Sequence, residues 1–211
     1  MKKKETFIKN YINFELLKGR APNSIYEFCK EYKTNEANFY EHFNSFSQLR
    51  KHILADFINN TIKTLDNDKD YEEFTSKEKV LALFFTLFEE FKNSRSYLIN
   101  RYDETSNYRN ISSDWELFFL QFNARIEQIL QEGKMADEIK ERKFIGDHYS
   151  KGYKLVFAYV FRVWIKDESK GFETTDAAIE KSINLSYDML GNGPLDALID
   201  FGRFALKTKV M

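Results

Sequence analysis

Three histidines, His42, His52 and His148, are the first residues to test for metal or acid–base chemistry. Their separations match no metal-binding spacing, and no Glu-x-x-His pair is present to build a di-iron bundle. Paired carboxylates occur at Glu89–Glu90 and Asp137–Glu138, but neighbours on a helix point about 100° apart and read as solvated surface. Gly191-Asn192-Gly193-Pro194 resembles a phosphate loop, yet it lacks a GK[ST] or G-x-x-G continuation. It joins two helical patterns instead, with Pro194 placed as a first helical residue. The one cysteine, Cys29, permits no internal disulfide. No enzyme, metal centre or cofactor is expected.

Recognition chemistry is a different matter. The stretch TNEANFYEHFNSFSQLR, from Thr34 to Arg50, sets the aromatics Phe39, Tyr40 and Phe43 among Asn, Ser, Glu and Thr. Side chains of the second kind form hydrogen bonds with polar partners, and the first kind can lock a short helix onto its neighbours. Such a segment needs a platform, and the periodicity around it supplies one. Phe7, Tyr11 and Phe14, with Ile8, Ile12 and Leu16, give an apolar face to a helix over 6–18 that Gly19 ends. After Pro22 and Asn23, Ser24 caps a short second helix, with Glu27 completing a capping box and Ile25 and Phe28 facing inward. Asn35 caps a third, ending near Tyr40, and Ser45 or Ser47 caps a fourth that carries Leu49, Ile53, Leu54, Phe57, Ile58, Ile62 and Leu65.

Two short helices joined by a tight turn, followed by a longer one, have the layout of a helix-turn-helix, whose second short helix enters the major groove. Phe39 and Phe43 are the inward anchors; Asn35, Glu36 and Asn38 are left outward.

The segment SIYEFCKEYKTNEANFYEHFNSFSQL resembles the TetR family of bacterial transcriptional regulators, whose pattern is roughly T-V-x-D-I-A-x-x-A-G-V-S-x-G-T-L-Y-x-H-F-x-S-K-E-E-L. The register runs without gaps, and the Y-x-H-F core stands intact in Tyr40, His42 and Phe43. The resemblance implies that Ser24, Tyr40 and His42 contact DNA phosphates, and that Asn35, Glu36, Ala37 and Asn38 lie where base edges are read. Lys33 joins this DNA-facing set, standing where the pattern has its turn glycine. Lys2, Lys3 and Lys4 would add phosphate contacts as a flexible arm. Phe46 replaces a common phosphate-contacting lysine, and Glu36 and Glu41 place negative charge at the reading helix. These departures define the alternative, a TetR-fold lipid or small-hydrophobe binding protein without DNA binding.

The rest of the chain supports the same architecture. Only two prolines and eight glycines break 211 residues, which favours long helices over strand-rich folds. Helices are predicted over 76–93, 96–108, 113–131, 146–166, 174–190 and 194–208, with an irregular stretch over 133–145. The fold class is therefore all-α: a three-helix N-terminal helix-turn-helix domain over 1–50, a connecting helix over 47–65, and a C-terminal helical domain over 66–211. Residues 1–65 carry a net charge of +4 and the remainder −5, as suits a polyanion met by one end. By the same resemblance the C-terminal domain binds a ligand and dimerises through its last two helices. Leu195, Leu198, Ile199, Gly202, Ala205 and Leu206 form the candidate dimerisation stripe, with Phe201 and Phe204 on a second.

Phe84, Phe88, Phe91, Trp115, Phe118, Phe119, Phe122, Tyr153, Phe157, Phe161 and Trp164 are the candidate pocket lining for a small hydrophobic or aromatic effector. The partners expected are therefore a double-stranded DNA operator, that effector and a second copy of the chain. No apolar run long enough to span a bilayer is present, and no apolar segment follows MKKKETFIKN, so a cytoplasmic protein with no membrane partner is expected.

Overall fold

The computed structural model describes residues 2–102, 113–140, 149–190 and 201. Among these residues there are nine α-helices and no strand. In chain order they are α1 (Lys2–Lys18), α2 (Ile25–Glu31), α3 (Glu36–Tyr40), α4 (Phe46–Asp66), α5 (Ser76–Lys92), α6 (Arg95–Tyr102), α7 (Glu116–Met135), α8 (Tyr149–Lys166) and α9 (Glu173–Leu190). The predicted helix over 194–208, with Leu195, Leu198, Ile199, Gly202, Ala205 and Leu206, lies outside the described residues. None of the described helices is long and apolar enough to cross a membrane.

Local chemistry sets most boundaries. The C-terminus of α1 closes on Gly19, which adopts φ 66° and donates its N–H to the Glu15 carbonyl at 2.9 Å. Ser24 Oγ accepts the Glu27 N–H at 3.1 Å, while the Glu27 carboxylate reaches one residue further back, to the Asn23 N–H at 2.7 Å. Ser45 and Gln48 repeat this arrangement at the start of α4: Ser45 Oγ takes the Gln48 N–H and Gln48 Oε1 takes the Asn44 N–H. At α5 a full capping box forms, with Thr75 and Glu78 each accepting the other's N–H.

Two boundaries differ from expectation. The helix α1 begins at Lys2, so the residues expected to form a flexible basic arm are its first turn instead. Lys4 is held there, its Nζ 3.2 Å from His52 Nδ1 and above the Phe43 ring. The helix α7 continues through Gly133 to Met135, into the stretch expected to be irregular. Glycine is required there by close approach: a Cβ on Gly133 would lie 2.4 Å from Ser76 Oγ and 2.8 Å from Ile139 Cδ1.

The chain packs as two compact units, Met1–Thr64 with Thr86–Phe122 and Leu65–Phe85 with Asn123–Met211. In the first, α1 packs on α6 and α2 on α3, around a core that includes Tyr11, Phe14, Phe28, Phe39, Leu49, Ile58, Phe91 and Phe118. In the second, α8 packs on α9, and Val80, Leu83, Ile126, Ile129, Val160, Trp164, Ile179 and Ile183 are buried. Each fully buried large side chain contributes about 1.5–3 kcal/mol.

Candidate nucleic-acid interface

The turn between α2 and α3 decides how the second short helix is presented. Lys33 sits there at φ 51°, the left-handed conformation the resemblance implied for that position. A non-glycine residue pays about 1–2 kcal/mol for this. What offsets the cost is the ring cluster beneath. Phe39 is fully buried and lies 5.6 Å from Phe7, 6.1 Å from Phe28, 5.5 Å from Phe46 and 5.9 Å from Phe43, mostly edge to face. Burial plus edge-to-face geometry makes Phe39 worth about 3–5 kcal/mol to the motif. Phe46 also packs against Tyr11, tilted at 5.2 Å, and edge to face against Phe28 at 5.7 Å. The aromatic ring where the TetR pattern has a basic residue therefore strengthens the platform.

Above the rings the polar residues separate into exposed and engaged groups. Ser24, Lys33, Asn35, Glu36, Ala37 and Tyr40 are exposed, Tyr40 at 51%. Asn38 and His42 are half-buried. Asn35 Oδ1 caps α3 by accepting the Asn38 N–H at 2.8 Å, and Asn38 Nδ2 donates to Thr34 Oγ1 at 3.3 Å. The Asn38 amide keeps its oxygen and its second N–H available for a base edge. Ser24 Oγ is occupied as the α2 cap, so the groups it offers outward are its remaining lone pair and the first-turn N–H groups of α2. His42 packs 5.9 Å from Phe7, and its Nε2 is buried without a hydrogen-bond partner. Nearby, burial and the Lys4 charge hold His52 below the usual histidine range.

An ion cluster that sequence reading did not find ties the motif to the rest of its unit. Arg50, the second residue after the helix-turn-helix segment's Gln48, donates Nε–H to Asp114 Oδ2 at 2.8 Å and an Nη1–H to the Tyr11 hydroxyl at 3.3 Å. Arg101 on α6 bonds Glu15 of α1 at 3.0 Å and lies 3.7 Å from the same Asp114 oxygen. The Tyr102 hydroxyl donates to Asp114 at 3.4 Å. Glu15 and Asp114 are each 1% exposed. Burial pushes the Tyr11 and Tyr102 phenols up, so they remain neutral partners. No local signal marks this cluster, because Arg50 is 39 residues from Tyr11 and 64 from Asp114, and Arg101 is 86 from Glu15.

The candidate effector-lining rings fall into two groups. Phe88, Phe91, Trp115, Phe118, Phe119 and Phe122 meet in the first unit, with Trp115 and Phe118 4.9 Å apart and Phe118 stacked on Phe122 at 5.8 Å. In the second unit Phe157, Phe161, Trp164 and Phe172 form a continuous stack. Phe84 and Tyr153 are buried.

Comparison with known proteins bears on the whole chain. A family model described as the tetracycline repressor-like C-terminal domain matches residues 79–205. A solved structure from Shewanella sp. PV-4, assigned to the TetR family of transcription regulators, is similar with a TM-score of 0.57 and 12% identity. The match covers 89% of this chain and 97% of that one, and at this identity it speaks for the fold. No curated protein matches the sequence. The C-terminal match and the N-terminal helix-turn-helix fall on different parts of one chain and agree: it belongs to the TetR family.

Proposed function

We propose that the protein is a homodimeric, ligand-responsive transcriptional regulator, a repressor, that binds a palindromic operator through α3. In this reading residues 1–50 bind DNA, α4 connects, and residues 66–211 bind the effector and dimerise. The observation that carries it is the division within α3 and its cap: Phe39 is sealed while Asn35, Glu36, Ala37 and Tyr40 face solvent. Ser24, Tyr40 and His42 would hold phosphates, Lys33 would add charge, and Asn38 would read a base. A dimer would place two such helices about 34 Å apart, one turn of duplex.

Leu185 on α9 and Phe201 support pairing, because each leaves a large apolar side chain more than 60% exposed in the single chain. A second copy meeting the last helices, with Leu195, Leu198, Ile199, Gly202, Ala205 and Leu206, would cover such side chains. The effector would be a small hydrophobic or aromatic molecule received by the buried rings. The Tyr153 hydroxyl, buried without a hydrogen bond of good geometry, is available to orient it. Effector and operator affinity would be linked reciprocally.

The competing reading, a small-hydrophobe binding protein of this fold without DNA binding, draws on Glu36 and Glu41. Both are exposed acids at the reading helix. Titrating the protein against its own upstream DNA at several salt concentrations separates the two. A salt-sensitive complex weakened by Asn38→Ala and by Tyr40→Ala supports the regulator. Absence of binding at low salt, with a lipid retained through purification, supports the competitor.

A further inference from the structure

The charges of the helix-turn-helix segment are sorted by whether they are already neutralised. From Arg20 to Lys51 there are five basic and four acidic side chains. Arg20 holds Glu27 at 2.6 Å, Arg50 holds Asp114 at 2.8 Å and Lys51 holds Glu116 at 2.5 Å. Glu31 takes Lys18, at the end of α1, at 3.2 Å. That leaves Lys30 and Lys33, both exposed and with no ion-pair partner among the described residues. The acids left over, Glu36 and Glu41, lie on α3 and just past its end.

Helical spacing accounts for the sorting on α2. Glu27 and Glu31 are four residues apart and share one stripe, which Arg20 and Lys18 neutralise from the α1 side. Tyr26 and Lys30, also four apart, share the neighbouring stripe, and Lys33 follows in the turn. The inner side of the helix carries the buried Phe28 and Cys29. Tyr26 is 62% exposed, so its ring and hydroxyl stand in solvent beside two unneutralised ammonium groups. This stripe offers donors and positive charge, and no acid lies on it.

We propose that this face of α2, Tyr26 and Lys30 beside Lys33, holds the phosphate backbone of duplex DNA, independently of base sequence. The inference rests on the DNA binding proposed for α3 and adds a second contact surface to it. In a helix-turn-helix the first short helix crosses the backbone while the second enters the groove. Phosphate neutralisation requires cations that are not already paired, and within the motif those are Lys30 and Lys33. Phe46 stands where the TetR pattern has a phosphate-contacting lysine, and the surplus charge at α3 is negative. Attraction to a polyanion therefore has to come from α2. The Tyr26 hydroxyl would donate to a phosphate oxygen between the two lysines.

The test is fluorescence anisotropy of the full chain with a labelled duplex from its own upstream region and a scrambled duplex of the same length, over a series of salt concentrations. Lys30→Gln is expected to weaken both duplexes by the same factor, about fivefold to tenfold at about 0.1 M salt. It should also reduce the slope of log K against log salt by about 1. Tyr26→Phe should weaken both about threefold with the slope unchanged, because a hydrogen bond is lost but no charge. Lys9→Gln removes an exposed charge from α1, about 200° round the helix from the buried Phe7, and should keep the parental affinity and slope. Thermal melting checks that each variant is folded. A parent that binds neither duplex at low salt overturns the DNA-binding reading and this inference with it. A parent that binds, with Lys30→Gln unchanged in affinity and slope, overturns this inference alone. So does a loss confined to the upstream duplex, or a loss in Lys9→Gln equal to that in Lys30→Gln.

Discussion

Two charged clusters in this molecule are built from the same groups and end in opposite conditions. In the first unit Arg50 and Arg101 face Glu15 and Asp114, two charges of each sign, with both carboxylates 1% exposed. In the second unit Lys79 and Arg125 face four carboxylates around an open cavity. The first cluster is neutral and sealed, and its charges hold helices together. The second keeps a surplus of acceptors toward solvent. A buried ion pair stabilises only when its partners are complete, whereas exposed carboxylates at a cavity rim stay solvated and add little to stability.

That contrast predicts unequal costs. Asp114→Ala should destabilise by about 3 kcal/mol in urea unfolding, because it takes away the carboxylate partner of the half-buried Arg50, while Arg101 keeps Glu15. Glu132→Gln, at the partly exposed pair, should cost no more than about 1 kcal/mol. Equal losses would erase the distinction between the clusters. The helix-turn-helix offers a second version of the same contrast. Phe39→Ala should cost about 3–5 kcal/mol of stability. Asn38→Ala should leave stability within about 1 kcal/mol of the parent while costing about 1–3 kcal/mol of discrimination between operator and mismatched duplex.

Acid offers a further test of a sealed carboxylate. Asp167 accepts N–H groups from Ser169 and Thr175 and hydroxyls from both. Burial works against its charged form, but these four hydrogen bonds prevail and bring it from 3.8 to about 2. With the folded pKa the lower one, its contribution is complete above about pH 4 and is lost as pH falls toward 2. Asp167→Asn should therefore cost on the order of 1–2 kcal/mol near neutrality, with the gap to the parent closing as pH approaches 2. The smallest effect concerns Lys33, held at φ 51°. Lys33→Gly should relieve the left-handed strain for a net gain of about 0.5 kcal/mol, the unfolded glycine's greater freedom offsetting the rest.

The sequence was legible where its chemistry is local. Ser24 and Asn35 cap the helices expected of them, and of the two serines offered for α4 it is Ser45 that caps, since an N-cap needs only a side chain and an N–H two or three residues on. Phe39 is buried on the inner side of α3, and Phe43, just past the end of that helix, is buried beside it with its N–H on the Phe39 carbonyl. What could not be read was distant or geometric. Nothing near Arg50 announces Asp114, 64 residues away, and nothing near Glu72 announces a cavity shared with Arg125. The aromatic residues of the middle helices were visible as a set. Their sorting into a cluster around Trp115 and a stack ending at Phe172 follows from packing that periodicity does not encode. Lys2, Lys3 and Lys4 are helical and not a flexible arm for a local reason: lysines are good helix formers, and α1 begins at Lys2.

Regulation by this protein depends, in the proposed function, on the exposed side of α3 reading DNA. Selection from a random duplex library with the intact protein, followed by sequencing, tests this most directly. The expected product is a two-fold symmetric site with half-site centres about one helical turn apart, no longer enriched by Asn38→Ala. Recovery of duplexes without any common sequence, or of nothing above background at low salt, would contradict it.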